Sequence, residues 1–149
     1  MIRQLGHLNF STDRPQEMVD FYNKGLGLPI AFTLDDAQGS AFGWYVDCGN
    51  RTFIEIFDRV RAAKQWGWPE EPLKWGNQYR HFCLEVAGLE EFRRTLISRG
   101  VKVKDITMGM DGSRQAWLSD PDGNSIELME YTAISMQLGG PGTVAAVRK

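Results

Sequence analysis

The sequence predicts an α+β fold built from two successive β-α-β-β-β modules. Three observations carry that expectation. The order of predicted elements in the first half recurs in the second, the strand segments alternate apolar and polar residues with period two, and an apolar stripe at helical spacing follows the first strand of each half. At 149 residues with a formal net charge of −2, the chain is long enough to bury a core without disulfides or a structural metal.

The first module occupies residues 1–57. Ile2 to Thr12 is strand-like, and Asp13-Arg14-Pro15 turns the chain so that Thr12 or Asp13 caps a helix. Met18, Phe21, Tyr22 and Leu26 stripe that helix, which ends at Gly25 or Gly27. Strands follow near Leu28 to Leu34, Ser40 to Asp47 and Arg51 to Phe57, separated by Asp35-Asp36-Ala37-Gln38-Gly39 and Gly49-Asn50. The second module, 79–131, repeats the order: a strand from Tyr79 to Val86, then a helix striped by Leu89, Phe92, Leu96 and Ile97 and closed by Gly100. Strands near Val101 to Ile106, Gly112 to Ser119 and Ser125 to Tyr131 complete it. A connector, 58–78, carries Trp66, Trp68, Trp75, Pro69 and Pro72 and is too aromatic for a disordered linker, so it packs on the sheet, covers a pocket or forms a subunit contact. The tail, 132–149, contains Gly139-Gly140-Pro141-Gly142 and has few anchors, so it is expected to fray.

Composition removes several function classes. Lys and Arg are scattered over a slightly acidic chain, which excludes the electrostatic footprint of non-specific nucleic-acid binding. Arg93-Arg94 and Lys102/Lys104 read as helix and strand surface. Two cysteines, Cys48 and Cys83, without CxxC spacing argue for a reducing compartment and against a zinc knuckle. The amino end lacks the apolar run of a signal peptide, and no segment approaches a membrane span. A cytoplasmic protein is the expectation.

Strand parity identifies candidate functional residues. His7 and Asn9 lie opposite Leu8 and Phe10, and Glu55 opposite Ile54 and Ile56. His81 and Cys83 lie opposite Phe82, Leu84 and Val86, and Glu127 opposite Ile126 and Leu128. The apolar faces suit coverage by the two helices, which leaves His7, Glu55, His81 and Glu127 on the other face. Their spacing follows the repeat: 81 minus 7 is 74, and 127 minus 55 is 72. These are the chain's only two histidines. Two imidazoles and two carboxylates form a borderline-to-hard donor set suited to one divalent ion, Ni, Co, Fe, Mn or Zn, rather than to copper or an iron–sulfur centre.

The motifs His7-Leu8-Asn9, Phe21-Tyr22-Asn23-Lys24-Gly25-Leu26-Gly27, Phe53-Ile54-Glu55, His81 and Asp120-Pro121-Asp122-Gly123-Asn124-Ser125-Ile126-Glu127-Leu128 resemble the vicinal oxygen chelate superfamily. That superfamily includes glyoxalase I, extradiol dioxygenases, methylmalonyl-CoA epimerase and the fosfomycin and bleomycin resistance proteins. The resemblance implies one domain over residues 1–131, paired modules curled into a half-barrel, and a divalent metal held by His7, Glu55, His81 and Glu127. A carboxylate at position 55 is similar to glyoxalase I and unlike typical dioxygenases or the epimerase. Two positions depart from that pattern: Ser11 stands where bacterial glyoxalase I usually has Arg, and Arg59 where it usually has Asn, both residues that help hold glutathione.

The implied chemistry is that of a lyase or isomerase acting on a small molecule with vicinal oxygens through a metal-stabilised enediolate, with Glu127 as base and Glu55 as its symmetric counterpart. A homodimer is expected. The alternatives are an Fe(II) dioxygenase acting on a catechol-like ring, and a non-enzymatic protein holding an aromatic ligand between tryptophans such as Trp44 and Trp117 and the Trp-rich connector.

Overall fold

The computed structural model describes residues 4–74 and 79–143. The expected strand residues Ile2 and Arg3 and the connector's Trp75 lie outside them. The chain divides into two compact units between Gln78 and Tyr79.

The first unit contains β1 (His7–Thr12), α1 (Pro15–Asp20), β2 (Ile30–Asp35), β3 (Ala41–Asp47), β4 (Phe53–Asp58) and α2 (Arg59–Trp66). Its sheet has the order β1-β4-β3-β2, with β1 parallel to β4 and the remaining pairs antiparallel. Helix α1 starts without a side-chain cap. Instead the Thr12 hydroxyl accepts the Arg14 N–H at 2.9 Å, and Pro15 at the first helical position has no N–H to leave unsatisfied. The expected capping residue therefore closes the preceding turn.

Helix α1 runs on into a π-helical turn, Phe21–Gly25, marked by the Leu26 N–H bonding the Phe21 carbonyl at 2.9 Å. The wider turn suits the four-residue spacing of Met18, Tyr22 and Leu26, all buried. These side chains and Val19, with Val46, Ile54 and Ile56 from the sheet, form the unit's apolar core.

The connector begins as helix α2. The Asp58 carboxylate accepts the Arg61 N–H at 3.0 Å, and Gly67 ends the helix in the left-handed conformation at φ 67°. Trp66 packs on the sheet, with ring centroids 5.0 Å from Phe57 and 5.2 Å from Phe42. A β-carbon at Gly43 would lie 2.9 Å from the Phe57 ring, so glycine is needed to let that ring down onto β3.

The second unit contains β5 (His81–Glu85), α3 (Leu89–Ser98), β6 (Thr107–Met108), β7 (Arg114–Ser119) and β8 (Ser125–Glu130), ordered β5-β8-β7-β6. Glu130 on β8 accepts the Gly88 and Leu89 N–H groups at 2.6 and 3.2 Å, capping α3 from a neighbouring strand, and also pairs with Arg114 at 2.7 Å. Leu89 and Leu96 of α3 are fully buried, as are Ala116, Ile126 and Leu128 of the sheet.

Two expectations are corrected here. Val101 to Ile106 does not form a strand: β6 is confined to Thr107–Met108. The Lys104 N–H reaches the Trp117 carbonyl at 2.8 Å, but the Lys104 carbonyl is taken by Arg93 at 2.8 Å, and Arg93 also binds Asp105. Nor is the chain beyond Tyr131 poorly anchored as far as Thr143. Buried Ser135 meets buried Ser113 at 2.9 Å, Thr132 donates to the Gly112 carbonyl at 2.6 Å, and the N–H groups of Met136 and Thr143 bond the carbonyls of Asp111 and Met110. Among the described residues, no helix is long and apolar enough to cross a membrane.

Candidate functional site

Parallel pairing of β1 with β4 places Asn9 opposite Glu55, with His7 one same-face step away. Antiparallel pairing of β3 with β4 puts Tyr45 on the other side of Glu55. The second unit repeats this arrangement: Cys83 on β5 and Trp117 on β7 flank Glu127, and His81 stands where His7 does. The offsets agree with the histidine and glutamate spacing, since 83 minus 9 is 74 and 117 minus 45 is 72.

Each unit thus brings together one imidazole and one carboxylate. His7 Nε2 lies 3.6 Å from Glu55 Oε2, and His81 Nε2 lies 3.4 Å from Glu127 Oε2. The carboxylates are sunk into the sheet, 5% and 6% exposed, while the two histidine side chains remain open to solvent at 52% and 40%. A charge so placed is costly unless hydrogen-bonded or matched by a cation. Asn9 Nδ2 donates to Glu55 Oε2 at 2.9 Å, and Tyr45 is the register partner of Glu55 on the neighbouring strand.

The protonation equilibria follow from these surroundings. Burial pushes the Glu127 carboxyl above the usual range, with Asp111 adding in the same direction, while His81 and the Cys83 hydrogen bond oppose it. Desolvation, the Glu55 hydrogen bond and the Glu55 charge push the Tyr45 phenol up to about 12, so it remains a donor at neutral pH. Cys83 is an exposed residue, but its thiol faces Glu127. Desolvation first, then the carboxylate's charge and hydrogen bond, push it up to about 12, which makes it a donor and a poor nucleophile.

The four predicted ligands fall into two pairs, one per unit. Among the described residues, no group of three or more His, Cys, Asp or Glu side chains forms a metal-binding cluster. Each pair nevertheless fits as two adjacent ligands. Donors about 2.1 Å from one ion stand roughly 3.0 Å apart at an octahedral angle and roughly 3.4 Å apart at a tetrahedral one. The observed separations of 3.6 and 3.4 Å lie close to those values.

Parity placed His7, Glu55, His81 and Glu127 on the faces observed, and it grouped Asn9 with His7. It did not single out Asn9 or Tyr45 as partners of Glu55; the 72-residue offset between Tyr45 and Trp117 was the available signal. Trp44 pairs with Ile56, on the face opposite Glu55. Trp117 does lie on the carboxylate face of its own sheet, edge-on to His81 with centroids 4.8 Å apart.

Known proteins agree with this architecture. Residues 4–128 match the Glyoxalase/Bleomycin resistance protein/Dioxygenase superfamily. A lactoylglutathione lyase from Escherichia coli O157:H7 is 25% identical over 126 residues, spanning 83% of this chain and 90% of that protein. The crystal structure of a lactoylglutathione lyase from Agrobacterium tumefaciens aligns with a TM-score of 0.62 at 20% identity, covering 85% of this chain and 92% of the other. TnmS3, an antibiotic binding protein from Streptomyces sp. CB03234, aligns with a TM-score of 0.67 at 22% identity, covering 88% and 98%. With a match across most of its length and the repeated module of that fold, the chain belongs to the Glyoxalase/Bleomycin resistance protein/Dioxygenase superfamily.

Proposed function

We propose that this protein is a divalent-metal-dependent lyase or isomerase acting on a small molecule with vicinal oxygens. The observation that carries the reading is the duplicated pair: a buried carboxylate beside a solvent-open imidazole, at the same register position in both sheets. His7 with Glu55, and His81 with Glu127, would be the ion's ligands, each pair offering two adjacent donors, in a protein that is a homodimer on this reading. When bound, the ion supplies Lewis-acid polarisation of the substrate oxygens and offsets negative charge as a proton leaves carbon.

The chain's own residues then divide the work. Glu127 takes the proton from carbon and returns it to the neighbouring carbon; its raised proton affinity suits a base that must also give the proton back. Glu55 is held by the Asn9 amide and flanked by Tyr45, which orients it as a ligand and restrains it as a base. His7 and His81 bind through Nε2, the atom facing each carboxylate.

The thiol carrier is a separate matter. Arg59 carries a guanidinium, bound to Asp13 at 2.7 Å and to the Glu71 carbonyl at 3.1 Å, where the resemblance to glyoxalase I would call for an Asn amide that helps hold glutathione. A second reading, an aromatic-ligand-binding protein, is favoured by one feature. Phe32 stacks on Tyr45 at 4.2 Å with Phe53 edge-on, forming an aromatic surface on the Glu55 face.

Elemental analysis of purified protein, followed by a screen of hemithioacetals, 2-hydroxyacyl thioesters and catechols, tests the choice. Stoichiometric divalent metal that falls in His7→Ala and His81→Ala, with exchange of a carbon-bound hydrogen that falls in Glu127→Gln, is the expected result. Oxygen uptake with catechols would redirect the reading to a dioxygenase. Absence of metal together with tight binding of aromatic ligands would replace it with the binding protein.

A further inference from the structure

We propose that the second unit carries a recognition groove for an anionic group, a carboxylate or phosphate monoester, on a ligand with an apolar body. A cavity of about 650 Å³ opens beside the C-terminal end of α3 and the adjoining part of β7. Val103 and Leu118 contribute its apolar lining, and its polar side chains are Lys102, Lys104, Ser119, Ser125 and the indole of Trp117. Each of these can donate a hydrogen bond, and among the described residues no carboxylate lines the space. The nearby acid Asp105 is engaged by Arg93. Among the described residues neither lysine ammonium has an ion-pair partner. Two unpaired cations over an apolar lining form a site complementary to an amphipathic anion.

Two further observations tie the groove to the reaction site. Trp117 lines the groove and also meets His81 edge-on, while Ser125 lines it and is the register partner of His81. The repeat supplies a comparison within the molecule. Lys102 and Lys104 correspond to Ile30 and Phe32, since 102 minus 30 and 104 minus 32 are both 72, the offset relating Glu55 to Glu127. Ile30 and Phe32 are themselves exposed, at 37% and 47%, so an open edge position in this fold does not demand lysine. The lysines that the sequence presents as plain strand surface line a cavity next to His81.

That the bound anion belongs to the substrate rests on the proposed function; the groove's preference for anions does not. Calorimetric titration of the full chain with phenyl phosphate, 4-phenylbutyrate and neutral 4-phenyl-1-butanol tests it directly. One or both anions should bind more tightly than the alcohol, and the double variant K102A/K104A should weaken anion binding roughly 5- to 30-fold with little change for the alcohol. Added salt should weaken the same interaction, and the ranking of the two anions distinguishes carboxylate from phosphate recognition. Anions binding no better than the alcohol, or equally well to the double variant, would overturn the proposal. Metal content measured on the same samples keeps the two ideas apart: metal-free protein that still binds anions counts against the metal-dependent reading alone.

Discussion

Glu55 offers the most direct test of how the site is built. Its carboxylate is 5% exposed and is held by the Asn9 amide at 2.9 Å, with Tyr45 as its cross-strand neighbour. Hydrogen bonds to a charged group contribute about 1.5–3 kcal/mol each, and loss of an outer partner of a metal ligand typically lowers metal affinity about 10- to 100-fold. Asn9→Leu should therefore destabilise the metal-free protein by about 1.5–3 kcal/mol, and Tyr45→Phe by less. The double variant should depart from the sum, because both side chains neighbour one carboxylate. Urea unfolding in the presence of a chelator measures the first quantity, and calorimetric titration with Ni²⁺ or Zn²⁺ the second. An Asn9→Leu variant within about 0.5 kcal/mol of the parent, with unchanged metal affinity, would refute the idea that Asn9 holds this carboxylate in place.

Other perturbations follow from the same structure. Glu127 has a raised proton affinity in the folded state, so the folded state binds more protons than the unfolded one just above the ordinary carboxyl value of 4.5. Stability of the metal-free protein should accordingly fall as pH rises through that window, and thermal melts of Glu127→Gln should show this dependence flattened. Gly43→Ala forces a β-carbon against the Phe57 ring at 2.9 Å and should cost about 1–3 kcal/mol in urea unfolding, through displacement of Phe57 from Trp66. Glu130→Gln keeps an acceptor for the start of α3 but removes the charge shared with Arg114; a loss of about 1 kcal/mol, with faster hydrogen exchange in the first turn of α3, is expected.

What could be read from the sequence was whatever depends on period and parity. The two modules, their element order and the faces carrying His7, Glu55, His81 and Glu127 all follow from alternation along a strand, which is a local property. Less accessible were features set by a single long-range bond. Arg93 reaches the Lys104 carbonyl and removes it from the ladder, so an apolar–polar alternation from Val101 to Ile106 that reads as a strand does not become one. The tail misled for a similar reason: its glycines suggest fraying, while Ser135 and Thr132 find partners in the Gly112–Ser113 turn that no local pattern announces. Asn9 and Tyr45 needed the register, since Tyr45 lies on a different strand from Glu55 and only pairing brings them together.

The arginine that shortens β6 also changes how the molecule resists self-association. An outer strand with free backbone groups is a template for another chain, and proteins guard such borders with charge, brevity or obstruction. In the second unit the border is two residues long, preceded by Lys102 and Lys104, and part of its adjoining backbone is occupied by Arg93. The corresponding border in the first unit is the six-residue β2, with Ile30 and Phe32 exposed and, among the described residues, no equivalent guard. Under destabilising conditions the two halves should therefore differ in aggregation hazard: growth by strand addition would start from Ile30–Asp35, and a single charge introduced at Phe32 should suppress it where the same change at Met108 would not.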